Sequence, residues 1–195
     1  EGNGQSELAR VLSGMLRATG GRFSVCGKEM TKRSVRALRE AGCVYVPADR
    51  MLYGVASEMG VWENLIANRA DDKSIFQAGF LRPANARKLS DKLIDEYEIL
   101  CGSCEHQAGQ LSGGNIQKVV VAREFSVAPK LIIAEQVTRG IDVGTAQLIH
   151  QKMIAMRDAG CAIFLISADL EEVLRISDSL LVLYNGKIAG YFEDA

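Results

Sequence analysis

The sequence predicts an α/β chain: a mostly parallel sheet with helices on both faces, plus a helical subdomain. Three observations carry the prediction. Short apolar runs at residues 43–46, 131–134 and 162–166 have the length of buried strands. Stretches of helical apolar spacing alternate with them, at residues 5–15, 33–40, 115–125, 143–159 and 170–176. Between residues 49 and 110 the apolar pattern turns helical.

The elements follow in order. Glu1-Gly2-Asn3-Gly4-Gln5-Ser6 feeds the first helix, and Gly20-Gly21 turns the chain into a short β segment at residues 22–26. A helix at 33–40 leads to the strand at 43–46, which Pro47 stops because it has no N–H for a sheet ladder. Helical segments then begin at Gly60-Val61-Trp62-Glu63-Asn64-Leu65 and at residues 85–97. Trp62 is either core or, with Met51, Tyr53 and Met59, the lining of a docking groove, a use that suits flexible methionine and aromatic side chains. Asp142 caps a helix running to Gly160, a natural stop, and Asp169 with Glu172 makes a capping-box-like start for residues 170–176. Residues 180–184, Asn185-Gly186 and residues 187–191 give the strongest hairpin signal, since Asn-Gly supplies the positive φ angles of a tight primed turn.

Composition narrows the class without naming a chemistry. With 195 residues and 48% hydrophobic content the chain can bury one sizeable core. The net charge of −1 comes from interspersed basic and acidic residues, so there is no footprint for nucleic acid. Apolar runs of about five residues fall far short of the ~20 needed to cross a bilayer. The five cysteines form no paired framework, which fits a reducing compartment. Cys101 and Cys104, with His106 nearby, give half of a zinc-site spacing, and no second pair follows at a finger-like distance.

The chemistry concentrates at Leu111-Ser112-Gly113-Gly114-Asn115. On its own this string fits a plain serine-capped helix start. It also fits an anion clamp, in which the hydroxyl and unpaired amides of the first turn face a phosphate at the positive end of the helix dipole. Downstream lie Leu131-Ile132-Ile133-Ala134-Glu135-Gln136, then Thr138-Arg139-Gly140-Ile141-Asp142, then the apolar run ending in Ser167-Ala168-Asp169.

That order of motifs resembles the nucleotide-binding domain of ATP-binding cassette (ABC) transporters, over nearly the whole chain. In that resemblance Ser112, Gly113 and Gly114 belong to the signature motif, Glu135-Gln136 to Walker B, Asp142 to the D-loop, and Ala168 takes the switch position. Gly2, Asn3, Gly4, Gln5 and Ser6 match the end of a Walker A P-loop, where amides wrap phosphates, a lysine reaches the β and γ oxygens and a hydroxyl meets magnesium. The detail resembles the second, C-terminal cassette of sugar and nucleoside importer ATPases. The resemblance implies a P-loop NTPase-like core from residues 1–48 and 111–195, with residues 49–110 as helical subdomain. The strand feeding the P-loop would lie upstream of residue 1, which is not methionine, so a fragment lacking N-terminal strands is expected; the closing hairpin implies a nearly complete C-terminus.

Five polar positions depart from the family pattern together. Gln5 replaces the P-loop lysine and carries no charge, Glu135 stands for the magnesium-binding aspartate, and Gln136 replaces the general-base glutamate. Ala168 replaces the switch histidine and Ala48 the Q-loop side chain. General-base assistance is typically worth about 10²- to 10⁴-fold, so Gln136 alone should nearly silence turnover. Ser6 keeps the hydroxyl for Mg2+, and the signature and D-loop residues are intact.

The resemblance therefore implies an asymmetric ATPase. ATP and Mg2+ are the expected ligands, weakly held on the Walker face, where Ser6 and Glu135 are the metal candidates. The expected partners are a second nucleotide-binding cassette in a head-to-tail dimer, transmembrane permease subunits and, indirectly, a substrate-binding protein. The expected place is the cytoplasmic face of the membrane, and this stretch alone is expected to be inactive or weak. The alternatives are a non-catalytic scaffold cassette and an ABC-type ATPase outside transport.

Overall fold

The computed structural model describes residues 2–193; Glu1, which opens the loop in the sequence, lies outside them. Its elements are α1 (Gln5–Leu12), β1 (Ser24–Val25), β2 (Lys28–Glu29), α2 (Val35–Glu40), β3 (Cys43–Val46) and a π-helical turn at Arg50–Gly54. Then come α3 (Val61–Ile66), β4 (Phe76–Gln77), β5 (Phe80–Leu81), α4 (Pro83–Glu96), a 3-10 turn at Ala108–Gln110 and α5 (Gly113–Phe125). The chain ends with β6 (Leu131–Glu135), α6 (Val143–Asp158), β7 (Ala162–Ile166), α7 (Leu170–Ile176), β8 (Ser179–Tyr184) and β9 (Lys187–Glu193).

The chain forms two compact units. The first takes residues up to Ala48, then Ala128–Val137, then residues from Lys152 on. At its centre β3, β6 and β7 form a parallel sheet in the order β3-β6-β7. Cys43 pairs with Leu131 and Leu131 with Ala162, so the C-terminal ends of the strands carry Val46, Glu135 and Ile166 to one edge. Ala9 of α1 packs with Ile133 and Ile166 on one face of this sheet, backed by Leu12, Tyr45 and Phe164. A second cluster joins Val25, Met30, Leu38 and Cys43. Among the described residues β7 pairs on one side only, with β6. A cavity of about 660 Å³ runs along it, lined by Phe164, Ile166, Leu170, Leu180 and Leu183 among others. That is why the apolar Ile163, Phe164 and Leu165 are only half-buried, where a strand of such composition reads as fully buried.

The second unit takes Asp49–Val127 and Thr138–Gln151. Residues 111–127 and 138–151, which sequence resemblance assigns to the core, cluster here with the helical segments. Trp62, Ile66, Ile75 and Ala86 form its apolar cluster, packed against Phe76, Leu89 and Cys104. α5 is buried nearly all round: Ile116, Gln117, Val119, Val120, Val121, Ala122 and Phe125 are each at most 3% exposed. A helix without a polar face belongs to an interior, and this fixes its first turn in place.

Several expected bounds move for local reasons. The first helix stops at Leu12 rather than residue 15, because Gly14 adopts φ 80 just past its end. The β segment near residue 24 is a small hairpin, and a second one pairs β4 with β5 inside the helical region. Both turn on a non-glycine residue at positive φ followed by glycine: Cys26 (49) and Gly27 (76), Ala78 (50) and Gly79 (82). The last helix is half of a capping box. Asp169 accepts from the Glu171 and Glu172 amides, but its own N–H donates to Ser167 Oγ at 3.0 Å instead of to Glu172.

Candidate functional site

On the Walker face, the loop Gly2-Asn3-Gly4 lies at the start of α1. Gly2 (φ 78) and Gly4 (φ 98) hold backbone angles that only glycine takes without strain, and Gly4 is the N-cap of the helix. Asn3 pins the loop. Its carbonyl accepts from Gly186 N at 3.1 Å and its Oδ1 from Asn185 N at 2.9 Å, so the closing hairpin's Asn-Gly turn braces it. Asn3 N–H donates to Gln5 Oε1 at 2.9 Å. The residue in the lysine position thus folds back onto its own loop.

Ser6 and Glu135 meet directly. Ser6 Oγ donates to Glu135 Oε1, and Tyr45 Oη donates to Glu135 Oε2 at 2.6 Å. Parallel register explains the second bond: Tyr45 pairs with Ile133, two residues before Glu135, so all three side chains stand on one face of the sheet. Glu135 is 4% exposed, and both carboxylate oxygens have a donor, as burial demands. Tyr45 carries no sequence signal for this role, because it appears only once the pairing of β3 with β6 is known.

Gln136 takes φ 49, beyond the end of β6. Its N–H donates to the Ile166 carbonyl at 2.7 Å, and its Oε1 accepts from the Ala168 N–H at 3.3 Å. Where the sequence resemblance implies a base and a switch histidine, this chain closes an amide onto a backbone N–H. Neither group can take a proton from water at neutral pH.

The signature residues are built differently. Ser112 is the N-cap of α5; its Oγ accepts from Asn115 N at 3.4 Å and from Asn115 Nδ2 at 2.9 Å. Asn115 Oδ1 in turn accepts from Leu100 N at 2.8 Å. A Cβ on Gly114 would lie 2.9 Å from Asp142 Oδ2 and 3.1 Å from Thr145 Oγ1, so this glycine is what lets the D-loop aspartate approach. Asp142 accepts from Thr145 N at 2.9 Å and Thr145 Oγ1 at 2.8 Å. Those two bonds, with Lys118 adding a favourable charge, hold its carboxyl below the usual aspartate value.

Arg50 is the residue that sequence reasoning missed in this region. Its guanidinium donates to the Arg139 carbonyl at 3.0 Å and the Gly140 carbonyl at 3.3 Å. It also fills the space beside Gly113, where a Cβ would lie 2.7 Å from Arg50 Nη2.

The aromatic candidate resolves toward core. Trp62 is 8% exposed, its indole N–H donates to Glu105 Oε2 at 3.1 Å, and Arg87 sits 4.9 Å from its ring centroid. Met51, Tyr53 and Met59 are exposed.

Comparison with known proteins places this geometry in a family. The sequence model described as ABC transporter matches residues 1–139. The guanosine import ATP-binding protein NupO of Bacillus subtilis is 36% identical over 188 residues, 96% of this chain and 37% of that protein. The ribose import ATP-binding protein RbsA 2 of Rhizobium johnstonii is 35% identical over 194 residues, covering 100% of this chain and 38% of its own length. The chain thus spans a little over a third of the length of these relatives. A nucleotide-free ATP-binding cassette from an ABC transporter superposes with TM-score 0.79 and 25% identity, covering 100% of this chain and 78% of its own. A dimeric cassette bound to ADP and Pi gives TM-score 0.82 at 19% identity over 100% of this chain and 82% of its own, a likeness of fold. With the family model covering well over half of its residues and the fold shared with solved cassettes, this chain belongs to the ABC transporter family.

Proposed function

We propose that this chain is the C-terminal cassette of an importer's ATP-binding protein, for nucleosides or simple sugars, and that its signature helix completes an ATP site held by a partner cassette. One observation carries the reading. Gln136 Oε1 is tied to the Ala168 N–H in place of a base and a switch histidine, while Ser112, Gly113 and Gly114 still open a helix buried over most of its length. The names of the guanosine, ribose and glucose importers among its relatives support the cargo class.

The chemistry follows from where the donors are. The Ser112 hydroxyl and the first-turn amides of α5 offer oriented donors to phosphate oxygens of a nucleotide held opposite, the kind of preorganised stabilisation that dominates phosphoryl transfer. On this chain's own face, Ser6 Oγ and Glu135 Oε1 already meet, an oxygen-only pair that fits Mg2+ beside phosphates and waters, so these two residues would hold the ion. Bound there, Mg2+ would neutralise charge on β and γ oxygens. Gln136 and Ala168 provide no proton acceptor, so the face binds rather than hydrolyses.

The partners follow from the same reading: a second cassette arranged head to tail, permease subunits and an indirect substrate-binding protein. Among the described residues no helix is long and apolar enough to cross a membrane. The importer reading places the chain at the cytoplasmic face through the permease.

The test compares two substitutions in the complete ATP-binding protein assembled with its permease. Ser112→Glu should abolish ATP hydrolysis, because it places a charge where a phosphate approaches, whereas Gln5→Lys should change it less than about twofold, as expected where no base is present. A larger effect from Gln5→Lys than from Ser112→Glu overturns the division of roles.

A further inference from the structure

We infer that Arg50 is a positioning residue for the signature site: its guanidinium spans the start of α5 and the D-loop backbone, and so sets how the clamp is presented. The inference rests on the reading that Ser112, Gly113 and Gly114 close on a nucleotide held by a partner cassette.

The geometry is specific to arginine. Asp49 caps the π-helical turn, accepting from Met51 N at 3.0 Å and Leu52 N at 2.9 Å, and so fixes the backbone from which Arg50 departs. The two ends of the guanidinium then take two successive carbonyls, Nη1 that of Arg139 and Nη2 that of Gly140. Only a planar fork does this; a lysine ammonium is a point donor on a flexible stem. Both carbonyls lie just before Asp142, which is itself locked to Thr145 and rests against Gly114. Nη2 also occupies the space a side chain at Gly113 would need. Gly113 and Gly114 therefore face two different partners, Arg50 and Asp142, and together these hold the D-loop against the first turn of the signature helix.

Arg50 needs no contact with nucleotide to matter. A clamp whose amides are misplaced binds ATP less well when the cassettes close, and small misplacements are costly in preorganised sites. The effect belongs in KM for ATP more than in kcat, because Arg50 supplies no group to the chemical step.

A double-mutant cycle in the complete ATP-binding protein with its permease tests this. Arg50→Ala and Gly113→Ala should each raise KM for ATP about tenfold, and for Arg50→Ala, which lies outside the clamp itself, kcat should stay within about threefold. In the first the fork is gone; in the second the new methyl displaces it. Because both break one contact, the double variant should raise KM about ten- to thirtyfold rather than about a hundredfold. Arg50→Lys, which keeps the charge and loses the fork, should fall between parent and Arg50→Ala, and it carries the same cycle if Arg50→Ala does not fold. A KM effect equal to the product of the singles, or Arg50→Lys kinetics equal to the parent, overturns the inference. The underlying reading fails separately, when Ser112→Glu leaves hydrolysis intact.

Discussion

Glu135 shows what one buried carboxylate demands of its neighbours. Its two oxygens are met by hydroxyls from two elements distant in sequence, Ser6 of α1 and Tyr45 of β3. Tyr45→Phe removes one donor and leaves Oε2 buried with one partner fewer. An acceptor stranded in this way costs about 1–3 kcal/mol. For a chain of this size about 1 kcal/mol moves the melting temperature by roughly 2–4 °C, so Tyr45→Phe should melt roughly 2–12 °C lower in scanning calorimetry. A change within about 1 °C would mean that water replaces the hydroxyl without loss. Such residues also mark the limit of sequence reading. Gln5, Gln136 and Ala168 are legible as departures because a motif fixes what should stand there. Tyr45 and Arg50 belong to no motif; each gains its role from a partner 90 or 89 residues away, which only the fold brings near.

At the scale of elements, the caps were legible and the tight turns only partly. Ser112 and Asp142 each accept from the amide three residues on, as serine and aspartate before a helix should. The Asn185-Gly186 turn was readable because asparagine tolerates positive φ, whereas Cys26-Gly27 and Ala78-Gly79 form similar turns with residues that give no warning. The cap of α6 makes a pH prediction. Thr145's amide and hydroxyl hold the Asp142 carboxyl below its ordinary value of 3.8 in the folded state. A lowered pKa means stability that is present above the ordinary value and lost as pH falls through the folded one. Urea unfolding of the parent and of Asp142→Ala should therefore show a gap that is constant from neutrality to about pH 5 and closes only at strongly acid pH. A gap that already narrows between pH 7 and pH 6 would point to another titrating group.

Over the whole molecule the Walker residues fall in one compact unit and the signature and D-loop residues in the other. On the proposed reading this separates two kinds of nucleotide contact, and stability measures the first of them in isolation. A nucleotide that binds only the folded state raises its stability by RT ln(1 + [L]/Kd). At about 2 mM MgATP a site with Kd near 20 μM would add about 2.7 kcal/mol, or roughly 5–11 °C for a chain of this length, while a site with Kd near 2 mM would add about 0.4 kcal/mol, roughly 1–2 °C. Here the lysine position holds Gln5, whose amide oxygen is already taken by Asn3 N–H, and the facing loop offers amides but no cation of its own. The isolated chain should accordingly gain no more than about 2 °C from about 2 mM MgATP, read by a dye-independent melt such as circular dichroism. Gln5→Lys should widen that gain by restoring a charge against the triphosphate, without creating hydrolysis, since Gln136 and Ala168 are unchanged. A parent shift beyond about 5 °C would show that the loop amides and Ser6 grip nucleotide tightly without a lysine, and the Walker face would then count as a full binding site.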